Sequence, residues 1–245
     1  MSILIDLAKK EFNNKDSTVH FVDREEQDIF LNNLKKYPHA FVLGCVMDKQ
    51  IKAERAWAIP FKVYKEFNTF EIEELYSKTL KEFEKVFEKH KLHRFNKVQA
   101  RCFYDAIQLI VEKYNGNAAN IWNDNPSSAT VVYRFLEFKG VGIKIATMAA
   151  NILARQFKIE FKDHYSIDVS PDVHVKRVLI RMGHLNNDAT VDQIIYKARE
   201  LNPEFPGIID FSLWNIGRNY CYAKNPDCGN CTIKSECKKN NYYKT

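Results

Sequence analysis

The sequence predicts an all-helical protein. Glycine is scarce, at 8 of 245 residues, and apolar residues recur mainly at three- and four-residue spacing, the repeat of a helix face rather than of a strand. Hydrophobic residues make up 45% of the chain, enough for one large core or two small ones.

A helix is expected from Arg24 to Lys36, where Ile29, Phe30 and Leu34 share a face, with Pro38 breaking it. A buried helix follows from Ala40 to Val46. The next, about Ile51 to Phe67, carries Pro60 near its middle and is expected to kink or split there. Phe70 to His90 reads as one helix with Leu75, Leu80, Phe83 and Phe87 as its seam. Val98 to Tyr114 reads as another, ending before Asn115-Gly116-Asn117. Pro126-Ser127-Ser128 is a loop and N-cap for a helix running to Phe138. A tight hairpin at Lys139–Gly142 leads into a small-residue helix, Lys144 to Ala154. Residues 157–170 alternate and are β-branched, as in a loop or short hairpin. Ser170-Pro171-Asp172 then opens a helix, with Ser170 as cap and Asp172 complementing the dipole. Two further helices are expected near 189–201 and 207–220.

The net charge is +6, and it is uneven. Lys89, Lys91, Arg94, Lys97 and Arg101 form a basic run, Lys234, Lys238, Lys239 and Lys244 form a basic tail, and residues 66–84 are acidic. Such runs suit a polyanionic partner, although each reads equally as a solvated helix face. The N-terminal MSILIDLAKKEF is too short and charged for a signal peptide, and no apolar stretch approaches a membrane span. The expectation is a cytoplasmic, nucleoid-associated monomer without membrane contact.

Disulfides are not expected in that compartment, so the cysteines need another explanation. Cys221, Cys228, Cys231 and Cys237 follow the spacing C-x6-C-x2-C-x5-C. Clustered thiolates in reducing surroundings hold metal. Zinc sites commonly use two separated tight pairs, whereas here one pair is tight and two ligands stand apart. That favours a 4Fe–4S cluster, each iron held by one thiolate, with zinc as the rival. Cys45 and Cys102 sit in apolar helical settings and read as core, as do Trp57, Trp122 and Trp214.

The hairpin Phe138-Lys139-Gly140-Val141-Gly142-Ile143-Lys144 joins two helices. Its glycines permit a sharp turn and close approach, and the amides opening the second helix form an anion site suited to a phosphate. Taken alone, a plain helix–helix turn explains it as well.

The combination is more specific. The segments F-K-G-V-G-I-K (138–144), P-D-V-H-V-K-R-V (171–178), G-R-N-Y-C (217–221) and the four-cysteine spacing resemble the helix-hairpin-helix DNA glycosylase superfamily, its endonuclease III branch most closely. Gly44 to Tyr64 aligns with it without gaps and places Gln50 on the family's glutamine, so the resemblance spans about residues 37–237. It implies two lobes. One is a six-helix bundle at 31–156 with the helix-hairpin-helix motif at about 128–155; the other combines 1–30 with 157–245 and the cluster loop at 221–237. It implies a partner, double-stranded DNA carrying a damaged base or an abasic site, and a structural role for the cluster.

Through the same resemblance Lys144 is the expected nucleophile and Asp172 its activator and electrostatic stabiliser. The nucleotide must leave the stack before its C1′ can be reached. The amine must be neutral to attack, which burial or a neighbouring cation favours. Lys at this position implies a glycosylase that is also an AP lyase. Gln50 would fill the gap left by the everted base, Arg94 or Phe95 would form a second wedge, and Lys139, Gly140 and Gly142 would meet the DNA backbone. His174 reads as support for local hydrogen bonds. The sequence departs from the family at Phe138-Lys139, where Leu-Pro is usual, and at Ala53, where endonuclease III has an acidic residue. The lysine–aspartate separation, 172 − 144 = 28, exceeds the family's usual spacing, with the extra length at 157–170. Oxidised pyrimidines are the first expected substrate. The alternatives are a glycosylase without lyase activity acting on another lesion or mismatch, and a catalytically silent iron–sulfur DNA-binding protein.

Overall fold

The computed structural model describes residues 2–14 and 18–239, and among them the regular structure is entirely helical. Lys244 of the basic tail lies outside the described residues. The centre is α3, after α1 (Ile3–Asn13) and α2 (Glu25–Asn32). All ten residues of α3 (Pro38–Met47) are buried, as a helix apolar on every side must be. Pro38 starts α3, since a proline at the first turn forfeits no helical hydrogen bond. Each large side chain there, Phe41 and Leu43 among them, contributes about 1.5–3 kcal/mol by leaving water.

The expected break at Pro60 occurs at Ala58, between α4 (Ala53–Trp57) and α5 (Ile59–Phe67). The single helix expected over Phe70–His90 is instead two, α6 (Ile72–Tyr76) and α7 (Leu80–Lys89). Thr79 and Glu82 form a reciprocal capping box, which satisfies orphan donors and starts a helix afresh. The long α8 (Asn96–Tyr114) ends at Asn115, in the left-handed conformation, and packs along α3 and α7. A short 3-10 turn at Ala118–Ile121 leads to α9 (Ser128–Leu136), capped by Ser127.

Helix α10 (Ile143–Arg155) lies against α9 across the hairpin. Gly140 turns the chain at φ +89°, where an L side chain is strained. Residues 157–170 form an irregular loop without a hairpin. It is fixed at several points: the Arg199 guanidinium pairs with Asp168 at 2.8 and 2.9 Å, and Gly207 N–H donates to the Ile167 carbonyl at 2.6 Å.

Helix α11 (Val173–Met182) is followed by α12 (Val191–Leu201), a 3-10 turn at Pro206–Ile209 and α13 (Asp210–Asn219). The N-cap of α11 is Asp172, not Ser170; Ser170 is turned towards Asp210 instead. Helix α11 crosses α13 at Gly217, where a Cβ would lie 2.7 Å from His174 Cβ. Helix α1 packs on α13 and on the turn before it, at the opposite end of the sequence. The C-terminal loop returns to α1, where Glu236 accepts from Ser2 Oγ and Ile3 N–H at 2.9 and 2.7 Å. No helix among the described residues is long and apolar enough to cross a membrane.

Candidate functional site

A cavity of about 350 Å³ is lined by the turn after α3, one face of α10, the start of α11, α13 and residues 19–23. Helix α10 contributes Lys144, Met148, Asn151, Ile152 and Arg155, the i, i+4, i+7, i+8, i+11 positions of a single face. Asp172 lines the same cavity. The fold therefore brings Lys144 and Asp172 to one space from separate helices.

Asp172 is positioned by helix capping. Its Oδ1 accepts from the His174 and Val175 amides, both at 2.8 Å, which ties the carboxylate to the positive end of α11. His174 in turn lies 3.0 Å from an Arg177 nitrogen and packs on Gly217. Arg177 also donates to the Gly217 and Cys221 carbonyls, so the segment holding Asp172 is braced against α13 and the cysteine loop. Lys144 stands in the first turn of α10 and is exposed.

Several cavity residues had no sequence signal. Asp48 ends α3 and faces both groups: burial raises its carboxyl above the ordinary range, Asp172 adds to the rise and Lys144 opposes it. Asp210 accepts from Ser170 N–H at 2.6 Å and Ser170 Oγ at 3.2 Å, and burial pushes its carboxyl up to about 7. Trp214, expected in the core, is only partly buried and lines the cavity with Phe211, the two rings stacked at 6.2 Å. Trp57 and Trp122 are core residues, as are Cys45 and Cys102. At the edge, Glu54 pairs with Arg218 at 2.6 Å, and Ala53 occupies wall where the endonuclease III pattern has an acid.

Gln50 and Arg94 do not line the cavity. Both are exposed on adjoining loops. The buried His93 ring joins the two: its Nε2 donates to the Lys49 carbonyl at 2.9 Å, leaving Nδ1 to accept from Phe95 N–H at 3.1 Å. Burial lowers the His93 pKa, which keeps that tautomer neutral. Gln50 adopts φ +55° at the tip of its turn, and the Arg94 guanidinium lies 5.2 Å from the Phe95 ring centre. Of the basic run, Lys89 pairs with Glu66 and Arg101 with Asp105, while Lys91, Arg94 and Lys97 make no ion pair among the described residues. Lys139 pairs with Asp105 at 3.0 Å. Around Gly142 the surface is open, with no atom within 4 Å of where a Cβ would stand.

Cys221, Cys228, Cys231 and Cys237 line a separate cavity of about 20 Å³, walled by Val178, Ile216 and Ile233. Arg181 donates to Cys221 Sγ at 3.3 Å, and Cys237 Sγ contacts the Arg181 carbonyl at 3.4 Å. Burial raises the Cys231 and Cys237 thiols, and repulsion from the neighbouring sulfurs adds to it. Among the described residues, no group of three or more His, Cys, Asp or Glu side chains is arranged to hold a single metal ion.

No family model and no curated protein matches the chain. Solved structures do. A trapped endonuclease III–DNA covalent intermediate is 18% identical with a TM-score of 0.62, over 96% of this chain and 93% of that one. A non-covalent endonuclease III–DNA complex gives 18%, 0.63, 96% and 92%. A thermostable thymine-DNA glycosylase gives 14%, 0.61, 99% and 95%. At such low identity over nearly full length, what is shared is architecture: the chain carries the fold of these endonuclease III and thymine-DNA glycosylase structures.

Proposed function

We propose that the protein is a DNA base-excision glycosylase with AP lyase activity. The reading rests above all on one observation: Lys144 and Asp172 line the same cavity, beside a hairpin with open space around Gly142. The two-lobed division (31–156 against 1–30 with 157–245) belongs to this reading, with the cavity receiving a nucleotide turned out of the duplex.

In this scheme the open surface at Gly142 accepts a DNA phosphate on the α10 amides. Gln50 and Arg94, on the two loops that His93 ties together, enter the space left in the stack. Positive charge develops on the sugar as the glycosidic bond weakens, and the capped Asp172 carboxylate stabilises it. Lys144 Nζ bonds to C1′ as the C1′–N bond breaks, and the base leaves with that electron pair and takes up a proton. Ring opening gives an imine between Nζ and C1′. Loss of a C2′ proton then expels the 3′ phosphate and nicks the strand. Lys144 is exposed in the DNA-free protein, so bound DNA must supply the dry surroundings in which an amine attacks well. Oxidised pyrimidines are the first substrate class to test.

The four-cysteine loop is read as the holder of a 4Fe–4S cluster. The donor set fits: four thiols around one small apolar-walled space, with an arginine donating to one sulfur. Bound there, the cluster would fix the loop by replacing four thiol protons with a cationic core; the excision residues belong to the other cavity.

The deciding experiment is borohydride trapping on duplex containing an abasic site or thymine glycol. Wild type is expected to crosslink and Lys144→Ala to lose the crosslink. A variant that crosslinks equally would remove Lys144 from the role, and base release without nicking by wild type would show a monofunctional glycosylase.

A further inference from the structure

Two carboxylates that share the cavity with Lys144 sit at opposite poles of their helices. Asp172 opens α11, with Oδ1 committed to the His174 and Val175 amides, at the end where negative charge is stabilised. Asp48 closes α3, whose ten residues are all buried, and negative charge there meets the carbonyl end of the helix. Its carboxyl accepts no hydrogen bond among the described residues. Asp48 is only partly buried and lines the cavity together with Lys144 and Asp172, so it can be reached from that space. Helix α10, which carries Lys144, packs on α3. Burial raises the Asp48 carboxyl above its ordinary range; Lys144 opposes the rise, and Asp172 and Glu54 add to it. Cys45, one turn back on the same helix, is the remaining titratable group that interacts with Asp48. Lys144 makes no ion pair among the described residues, and its flexible four-carbon stem lets the amine swing across the cavity.

A carboxylate without hydrogen bonds at the unfavourable end of a buried helix costs stability. What relieves it here is the amine across the cavity. Once DNA closes that space, an ammonium and a carboxylate both lose water, and moving one proton between them leaves two neutral groups. We propose that Asp48 is the base that takes the proton from Lys144 Nζ, which leaves Asp172 the single task of stabilising charge on the sugar. An N–H bond of Nζ breaks and Asp48 gains the proton. The freed electron pair on Nζ bonds to C1′. The C1′–N bond breaks, its electrons leave with the base, and the base takes the proton from Asp48, which restores the carboxylate. At an abasic site the C1′ hydroxyl leaves as water by the same exchange. The inference rests on the glycosylase and lyase reading and assigns one proton within it.

The test measures how fast a borohydride-trapped complex forms on duplex with an abasic site, where no lesion preference enters. Wild type and Asp48→Asn are compared from about pH 6 to about pH 9. Asparagine has nearly the same shape and cannot take the proton. At about pH 7 the variant is expected to be about 10²-fold slower, the usual worth of a positioned base. Its deficit should shrink by about tenfold per pH unit, because solvent takes over the deprotonation. Asp48→Ser, a second neutral replacement should Asn fail to fold, carries the same expectation. Loss of the negative charge alone predicts the opposite sign, since less charge then holds the proton on Lys144. A folded neutral variant as fast as wild type or faster at about pH 7, or a deficit that is the same at every pH, would overturn the inference alone. Wild type that traps no abasic duplex at any pH would overturn the AP lyase reading and this inference together.

Discussion

Asp172 caps α11 through one carboxylate oxygen, so replacements there separate folding from chemistry. Asparagine caps as well as aspartate but carries no charge. Asp172→Asn should unfold within about 0.5 kcal/mol of wild type while excision falls about 10²–10³-fold. Asp172→Ala should lose excision and also about 1 kcal/mol of stability through the missing cap. Urea unfolding beside single-turnover base release checks both; an Asp172→Asn protein of full activity would leave Asp172 as a cap only.

Asp210 gives a pH signature at the same scale. Its carboxyl titrates near 7 in the folded chain, above its ordinary value of 3.8, chiefly because it is buried. Between those values the folded protein binds a proton that the unfolded chain releases. The stability this contributes is fully present below about pH 4 and is lost as pH rises through 7. Asp210→Asn keeps an acceptor for Ser170 but cannot titrate. The wild-type urea midpoint, taken relative to that variant, should therefore fall from pH 5 to pH 8. A constant difference between the two would show that Asp210 titrates as an ordinary carboxyl.

At the scale of elements, the hairpin glycines have different jobs. Gly140 sits at φ +89°, and a Cβ placed there would lie 3.2 Å from Cys102 Sγ; Gly140→Ala should cost about 1–2 kcal/mol from the left-handed conformation alone. Gly142 has extended backbone and open space around it. Gly142→Val should change stability by well under 1 kcal/mol yet weaken DNA binding several-fold, because the added side chain would stand between the α10 amides and a phosphate. Thermal unfolding with fluorescence anisotropy on an abasic-analogue duplex separates the two, and undiminished binding by Gly142→Val would move the backbone contact elsewhere. The α11–α13 crossing obeys a similar close-approach rule: Gly217 lets His174 pack directly on α13, and that contact sets where α11, and hence Asp172, begins.

Across the whole molecule, the C-terminal loop is bound to both ends of the fold. Glu236 holds the first turn of α1, Arg181 holds Cys221 and the Tyr222 and Ala223 carbonyls, and Ile233 is buried. The purified protein is expected to be brown with absorbance near 400 nm. Cys231→Ser should bleach it and cost about 2–4 kcal/mol, roughly 5–15 °C in Tm. A colourless protein containing one zinc per chain would replace the iron assignment.

Much of this was legible in the sequence because it depends on local chemistry. The helical repeat, the Asn115 and Ser127 boundaries, the proline break near 60, the hairpin turn and the four-cysteine spacing are set by residues within a few positions of one another. The split at Thr79 was legible too, through its capping box with Glu82, but the apolar seam running across it masked the signal. What the sequence could not show is which distant residues share a space. Asp48, Asn151, Arg155, Asp210 and Trp214 look locally like ordinary helix residues. They become cavity walls only because α3, α10, α11 and α13 pack around one void. Hydrophobic spacing tells which face of a helix leaves water, whereas the choice between core, partner helix and cavity wall depends on how the faces of all the helices close on one another.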